Sequence, residues 1–310
     1  MKSTAERRAP AEIVELAGLL APRQGYNSTG LDGVRILRTE AVLHDVPVLY
    51  KPGAVFVLQG SKRGILDGGV FLYDEEHYLA VSVPVPFRME SVASPEKPLL
   101  AVYVDFDMGL AAEIAAEVER RCPELAASKV KSLVSSKTDP EIEDVVLRLL
   151  RTLRSPVETA ILGPNILREL HYRVMVGPQG GAMIAALQQK GTSGRILQSL
   201  ARLREAYSSE ISIADLACEA GMSVPSYHAH FKALTGSSPM QYVKSMRLHE
   251  ARLMIARQDK TIAEVATAVG YVSPAQFSRD FRRHFRRTAS AEAKWVRQHL
   301  GELAGLSYQQ

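Results

Sequence analysis

The sequence predicts an α+β protein of more than one domain, with a β-rich N-terminal part and an all-α C-terminal part. Three observations predict this: short apolar segments between turn signals from about Arg35 to Phe106, helical periodicity after Met108, and a repeated helical motif near the C-terminal end. The 310 residues, of which 46% are hydrophobic and 23% charged, are enough for two or three folded domains.

The β-rich part consists of short segments of Val, Leu, Tyr and Phe, several of which alternate apolar and polar residues. Turn signals such as Lys51-Pro52-Gly53 separate them. This pattern is typical of short strands in a sandwich or barrel. The predicted strands are Val34–Leu43, Ala54–Leu58, Gly69–Tyr73, Tyr78–Val83 and Leu99–Phe106.

Helical periodicity replaces the strand pattern after Met108. A first amphipathic helix is predicted between the start signal Asp139-Pro140 and the stop signal Ser155-Pro156. Its apolar stripe consists of Ile142, Val145, Val146, Leu149, Leu150 and Leu153. A second stripe follows at Ile161, Leu162, Ile166, Leu170 and Val174, and glycine-containing breaks then indicate a linker.

The last third of the chain contains an internal repeat. Each copy has an Ile-Ala-acid-aliphatic-Ala segment, a Gly four residues after the last Ala, and a Ser eight residues before a Phe. The copies run from Ile213 to Phe231 and from Ile262 to Phe281, and they flank a predicted long helix from Pro239 to about Ala256. This arrangement predicts two helix-turn-helix units joined by one helix.

Each shared residue has a physical role in such a unit. Gly221 and Gly270 stand at the turn, where glycine adopts a positive φ without penalty. Ser223 and Ser273 stand where the second helix needs an N-cap. An aromatic pair at i and i+4 in that helix is expected to be buried, which turns the opposite face outward. These pairs are Tyr227 with Phe231 and Phe277 with Phe281.

The outward faces of these second helices are polar and basic, which suits base edges and phosphates in the DNA major groove. The region from Ser193 to Leu300 has 16 Lys and Arg against 9 Asp and Glu, a net charge of +7, whereas the whole chain carries +4. We therefore predict that double-stranded DNA is a partner. The predicted DNA-binding residues are Ser223, Pro225, Ser226, His228, Lys232, Ser273, Ala275, Gln276, Arg279, Arg282 and Arg283.

The C-terminal part resembles the AraC/XylS family of bacterial transcription regulators. The resemblance extends from about Ile196 to Trp295 and includes, besides the repeat, the segment Phe231–Tyr242 and the pair Arg247-Leu248. It implies that two units share a central helix, so that both recognition helices enter successive major grooves on one face of the DNA.

The chain differs from the family pattern in two places. Many members have Arg where this chain has Ala229, although Arg279 is present at the matching place in the second copy. We therefore expect base reading by the first copy to rest on other groups or to be looser. After Phe285 the family has Gly and then Pro, whereas this chain has Arg286 and Ala289, so its final helix is expected to start differently.

Segments between Gly25 and Asp107 resemble the N-terminal sensor domain of one AraC-type subfamily. They include Gln59–Arg63, His77–Pro84 and Val104–Asp107. The resemblance implies a cupin-like β-barrel followed by helices that dimerise. The predicted dimerisation residues are Val145, Val146, Leu149 and Leu153.

A small-molecule effector is predicted to bind in the barrel, because a regulator needs a signal and the helix-turn-helix block has no spare concave site. Lys51, Gln59 and Lys62 stand at the ends of predicted strands and are the candidate effector-binding residues. An anionic or carbonyl-bearing metabolite would suit them. The alternative is an N-terminal domain that only dimerises or docks a protein partner.

An enzyme is not expected, although a cupin-type metalloenzyme with an appended DNA-binding domain is a further alternative. Metal-dependent cupins need closely spaced His ligands, and His44 and His77 are isolated in the predicted barrel. A DNA-repair methyltransferase fused to such a block would need several Cys, but the chain has two, Cys122 and Cys218. Neither a metal nor a cofactor is therefore expected.

The predicted domains are an effector-binding barrel over residues 1–106, a helical dimerisation segment and linker over 107–190, a double helix-turn-helix domain over 191–300, and a tail over 301–310. No apolar run reaches the length of a signal peptide or membrane helix, so a cytoplasmic protein without membrane contact is expected. The family resemblance implies that it is a homodimer. RNA polymerase is a candidate partner, and the choice between activation and repression is open.

Overall fold

The computed structural model describes residues 11–66, 69–126, 130–177, 180–188, 191–257 and 260–299. A short helix, α1 (Ala11–Leu20), precedes a β-rich region of short strands. These strands are β1 (Gly25–Ser28), β2 (Val34–Thr39), β3 (Leu43–Leu49), β4 (Gly53–Gln59), β5 (Ser61–Leu66), β6 (Gly69–Asp74), β7 (His77–Val81), β8 (Pro86–Val92) and β9 (Leu99–Asp105).

The rest of the described chain is helical except for one strand. The middle region contains α2 (Met108–Arg121), α3 (Pro123–Ala126), β10 (Leu133–Lys137), α4 (Pro140–Thr152), α5 (Pro156–Val176) and α6 (Gly181–Gln188). The C-terminal region contains α7 (Gly191–Glu205), α8 (Ile213–Glu219), α9 (Val224–Thr235), α10 (Pro239–Arg257), α11 (Ile262–Ala268), α12 (Pro274–Phe285) and α13 (Ala289–His299). Each described helix is too short or too polar to span a lipid bilayer.

The strands form two antiparallel sheets that face each other. One has the order β1-β2-β9-β4-β7-β10 and the other the order β3-β8-β5-β6. Side chains along β4 alternate between two cores: Val55 and Val57 point between the sheets, whereas Ala54 and Phe56 pack against the helices. Because both faces of this strand are covered, its sequence is almost wholly apolar. The predicted fold, a cupin-like barrel with flanking helices and an all-α C-terminal domain, is confirmed.

Strand β10 was not predicted, and it lies inside the segment expected to be helical. It pairs with β7 in antiparallel register, with Val134 opposite Ala80, and so extends the six-stranded sheet. Its sequence, Leu-Val-Ser-Ser-Lys, is too short and too polar to give a periodic signal. The barrel is therefore completed by residues beyond the boundary predicted at 106.

The helix α4 begins as predicted but does not present its apolar stripe to the surface. The Asp139 carboxylate accepts a hydrogen bond from the Ile142 backbone N–H at 2.8 Å, which caps the helix. Val145, Val146 and Leu149 are at most 2% exposed, because they pack against α1 and the six-stranded sheet. The proposed dimer contact through these side chains and the partly buried Leu153 therefore needs correction: they are occupied within the subunit.

Candidate nucleic-acid interface and barrel interior

Two helix-turn-helix units occur at the predicted places, α8 with α9 and α11 with α12. Gly221 and Gly270 adopt the expected positive φ, at 63° and 84°. The Ser223 hydroxyl accepts from the Ser226 backbone N–H at 3.4 Å, and the Ser273 hydroxyl accepts from the Gln276 N–H at 3.3 Å. The predicted turns and N-caps are thus confirmed. We call α9 and α12 the recognition helices.

The aromatic pairs hold each recognition helix in its core. Ring centroids are 5.7 Å apart for Tyr227 and Phe231 and 5.4 Å for Phe277 and Phe281, and all four side chains are fully buried. The opposite face is turned outward in both helices. Its exposed candidates are Ser223, Pro225, Lys232, Ala275, Gln276, Arg279, Arg282 and Arg283, whereas Ser226, His228 and Ser273 are half-buried.

The second recognition helix carries the stronger positive charge. Among the described residues, Arg279 and Arg282 form no ion pair, so their guanidinium groups are available to an external anion. Arg283 is different, because it lies 2.7 Å from the carboxylate of buried Asp280. Asp280 also bonds Lys244 of α10 at 2.7 Å. This acidic side chain therefore connects the recognition helix to the central helix.

Arg247 of α10 joins the two units, a role that the sequence did not reveal. Its guanidinium donates to the Tyr207 carbonyl at 2.6 Å and the Ser209 carbonyl at 2.8 Å, just before the first unit. It also donates to the Gly270 carbonyl at 2.9 Å, in the turn of the second unit. The only signal was the Arg247-Leu248 pair within the family resemblance. This clamp fixes the relative placement of the two recognition helices.

The barrel contacts both recognition helices at their C-terminal ends. The Ser132 hydroxyl, just before β10, donates to the Leu234 carbonyl near the end of α9. The Arg88 guanidinium, on β8, donates to the His284 carbonyl at 3.1 Å near the end of α12. A change in the barrel can therefore be transmitted to both units.

The central helix α10 is also docked on the barrel. The Tyr242 hydroxyl donates to the Pro84 carbonyl at 2.8 Å, and Arg252 donates to the Pro47 carbonyl at 3.3 Å. Arg252 is 5% exposed and is held by Glu292 of α13 at 2.8 Å. A buried charge in such a position needs this partner, because its desolvation would otherwise be costly.

Lys62, one of the candidate effector-binding residues, lies inside the barrel. Its Nζ is 2.5 Å from the Tyr103 hydroxyl and 3.2 Å from the Tyr50 hydroxyl, and the residue is 1% exposed. Burial lowers the pKa of Lys62 to about 7, because the ammonium form loses its hydration. The sequence showed this lysine at a strand end, but only the pairing of the two sheets directs it inward.

The other two candidate effector residues lie elsewhere. The Gln59 side chain donates to the Pro98 carbonyl at 2.8 Å and so holds a loop. Lys51 lines a cleft of about 1080 Å³ between the barrel and α7, together with Asp105, His171 and Arg204. The three residues are therefore not brought together into one site. Across the described part of the chain, no cluster of His, Cys, Asp or Glu is arranged to hold a metal ion.

Comparison with known proteins agrees with this architecture. Residues 30–182 match the family model described as the AraC-type transcriptional regulator N-terminus, and residues 216–294 match a helix-turn-helix domain model. The transcriptional activator RhaS of Klebsiella pneumoniae (strain 342) is 29% identical over 103 residues, which are 33% of this chain and 37% of RhaS. ExsA of Pseudomonas aeruginosa is 27% identical over 125 residues, or 40% of this chain and 44% of ExsA. The chain thus spans less than half the length of these curated relatives.

The solved structure of ToxT from Vibrio cholerae strain SCE256 with a bound unsaturated fatty acid has the same fold. The TM-score is 0.60, at 12% identity, over 93% of this chain and all of that chain. A barrel followed by two helix-turn-helix units on a shared helix defines the class of two-domain bacterial transcription regulators. Within that class, the chain belongs to the AraC/XylS family.

Proposed function

We propose that this protein is a sequence-specific DNA-binding transcription regulator. The observation that supports this most directly is the pair of recognition helices whose polar, basic faces point outward while their aromatic faces are buried. Arg279 and Gln276 are suited to base edges, whereas Lys232 and Arg282 are suited to phosphates. The regulator acts in the cytoplasm, where the chromosome is, and it has no catalytic role.

A mobility-shift measurement with the full chain and duplex DNA tests this proposal. At low salt the protein should retard DNA, and its affinity should fall steeply as salt rises, because the basic face releases counterions from the phosphates. A footprint at a selected site should cover two major-groove segments about 10 bp apart for each subunit. If the protein retards no duplex at low salt, the proposal that it binds DNA is refuted.

A small molecule bound by the N-terminal domain controls DNA binding. Ser132 and Arg88 support this, since they join the barrel by hydrogen bonds to the C-terminal ends of both recognition helices. A ligand shifts the arrangement only by its differential affinity for two placements of those units. ToxT, which shares the fold, has been solved with a fatty acid bound. Lys51 in the cleft and Lys62 in the barrel are the candidate ligand contacts; Gln59, which holds a loop, is the weaker one.

Dimerisation is proposed through α5 instead of the stripe on α4. Val157 and Ile161 of α5 are 68% and 65% exposed, and they lie one turn apart on one face of the helix. A second copy of the chain is the proposed occupant, because a two-fold contact would bury the same apolar residues on both subunits. Light scattering on the intact protein tests this proposal directly.

A further inference from the structure

Lys62 is the centre of a polar cluster that the DNA-binding function does not use. On the inward face of the four-stranded sheet its cross-strand neighbours are Tyr73 and Ser91. Such neighbours have Cβ atoms about 4.5–5.5 Å apart on the same face. Tyr103, from the facing sheet, and Tyr50, just after β3, bond the lysine Nζ directly. Four hydroxyl-bearing side chains therefore surround one amine.

This amine has no acidic partner among the described residues. The Asp105 carboxylate, on the same strand as Tyr103, is already bound by both of its oxygens to the Arg35 guanidinium, at 2.7 and 3.0 Å. Tyrosine hydroxyls and ring faces lie around the Lys62 Nζ, with no described carboxylate beside it, so burial favours the neutral amine. With a pKa of about 7, about half of the amine is neutral at pH 7, against roughly one in 3,000 at the ordinary pKa of 10.5.

Ser91 supplies an independent sign of a ligand. Its side chain is 2% exposed, and its Oγ has no hydrogen-bond partner in the described part of the chain. A buried hydroxyl without a partner costs about 1–3 kcal/mol. The hydroxyl lies on the same inward face as Lys62, on the adjacent strand. It is therefore placed to bond a polar atom of a molecule held at the amine.

We propose that the barrel interior binds a small aldehyde, which Lys62 captures as a reversible imine while Ser91 bonds a second oxygen of the ligand. The assignment rests on the proposed function, because it names the chemical class of the effector. A neutral amine is a nucleophile towards a carbonyl carbon. A small ligand is required, since Lys62 is 1% exposed and closely spaced aromatic rings line its surroundings.

The capture is balanced without an oxidant or reductant. The lysine Nζ lone pair attacks the carbonyl carbon, and the carbonyl oxygen takes a proton from the Tyr103 hydroxyl. The nitrogen then returns a proton to Tyr103, the hydroxyl leaves as water with a second proton from the nitrogen, and the C=N bond forms. One water is released for each imine, and hydrolysis reverses the step when the aldehyde concentration falls.

The captured ligand lies close to the DNA-binding domain. The Tyr103 ring packs edge-on against Tyr26 at 5.2 Å, and Tyr26 packs in turn against the cluster that contains Leu253 of α10 and Trp295 of α13. A shift of Tyr103 on imine formation therefore reaches the helices that carry the two units.

The test treats the full-length protein with glycolaldehyde and sodium cyanoborohydride at pH 7 and maps the reduced lysines by mass spectrometry. We expect Lys62 to gain the mass of the aldehyde less one oxygen, at a rate at least about tenfold above that of Lys97. Lys97 is the internal control, because its side chain is 59% exposed. Labelling should decline for bulky aldehydes such as benzaldehyde.

Matched variants separate capture from folding. Lys62→Met should abolish the rise in melting temperature that glycolaldehyde produces, whereas Lys97→Met should keep it. Ser91→Ala should reduce that rise for glycolaldehyde but not for propionaldehyde, which lacks the second oxygen. Labelling of Lys62 no faster than of Lys97, or an unchanged response in Lys62→Arg, would overturn the proposal. Mass mapping needs no DNA, so its failure is distinct from a failure of the untreated protein to bind DNA.

Discussion

The backbone of Gly270 lies directly against Ser208, so that a Cβ at position 270 would be 2.3 Å from the Ser208 carbonyl oxygen. Gly270 is in the turn of the second helix-turn-helix unit, and Ser208 precedes the first unit. Arg247 bonds the carbonyls of Gly270 and Tyr207 on either side of this contact. The two units therefore meet at a point where only glycine fits.

Replacing Gly270 by Ala should destabilise the protein by more than about 2 kcal/mol, because the methyl group meets a backbone oxygen and the φ is positive. Gly221→Ala is the matched control: its φ is also positive, but nothing lies within 4 Å of the added Cβ. We expect that control to cost only about 1 kcal/mol. Urea unfolding of both variants measures the difference, and equal losses would show that the contact with Ser208 is not decisive.

Arg286→Gly should stabilise the protein by about 0.5–1 kcal/mol. Arg286 ends α12 with a φ of 59°, whereas Gly236 ends α9 with a φ of 73°. An arginine in this left-handed conformation carries a steric cost that glycine does not. Arg282→Gly, in the interior of the same helix, should instead cost about 1 kcal/mol. Thermal unfolding that gives both changes the same sign would contradict this explanation.

Arg279→Ala should weaken binding to the cognate site by about 1–3 kcal/mol and relax the preference for one base. The guanidinium is exposed on the outer face of α12 and has no ion pair among the described residues. Arg121→Ala, on α2 of the N-terminal region, removes a charge that is also exposed and, within the described chain, is paired only with Glu117 of the same helix, and it serves as the control. Binding curves on matched and mutated sites provide the measurement, and an equal loss in both variants would assign Arg279 no role in base reading.

The domain interface should weaken in acid through two histidines. Burial, with the nearby Arg88, Arg252 and Lys244 charges, lowers the pKa of His284 to about 4, and burial beside His284 lowers the pKa of His249 well below 6.5. Between pH 4 and 6.5 the unfolded chain therefore binds more protons at these histidines than the folded chain does. The free energy of unfolding should be highest above pH 6.5 and fall by about 1–3 kcal/mol towards pH 4.

Urea midpoints at pH 7.5 and pH 5 measure this loss. The variant His284→Gln, which cannot take up a proton, should show a smaller difference between the two pH values. A His44→Gln variant, with an exposed histidine on β3, should behave like the parent protein. Identical pH profiles for His284→Gln and the parent would refute the assignment.

Leu149→Glu and Ile161→Glu should have opposite consequences. Leu149 is fully buried beneath α1, so a carboxylate there should lower the free energy of unfolding by more than about 4 kcal/mol. The far-ultraviolet circular dichroism of the folded state should therefore be lost well below the melting temperature of the parent protein. Ile161 is 65% exposed on α5. Its replacement should leave the spectrum unchanged and halve the mass found by light scattering. A dimer that persists in Ile161→Glu would place the interface elsewhere.

The repeat in the sequence determined the C-terminal domain, because each of its signals is local. A turn glycine, an N-cap serine and an aromatic pair one turn apart act within a few residues of one another, and the structure places Gly270, Ser273, Phe277 and Phe281 as predicted. The family resemblance likewise predicted the barrel. Short polar strands such as β10 escaped prediction, since a five-residue segment carries too little periodicity.

Tertiary structure decided what each face of a helix or strand packs against. The stripe of α4 shows that one face is apolar, but periodicity does not distinguish a contact with the same subunit from a contact with another. Likewise, Lys62 is an ordinary strand-end residue in the sequence and becomes a buried amine without a described carboxylate partner only because Tyr50, Tyr73 and Tyr103 converge on it from distant segments. Side-chain environments of this kind depend on contacts between residues far apart in the chain, which no local pattern encodes.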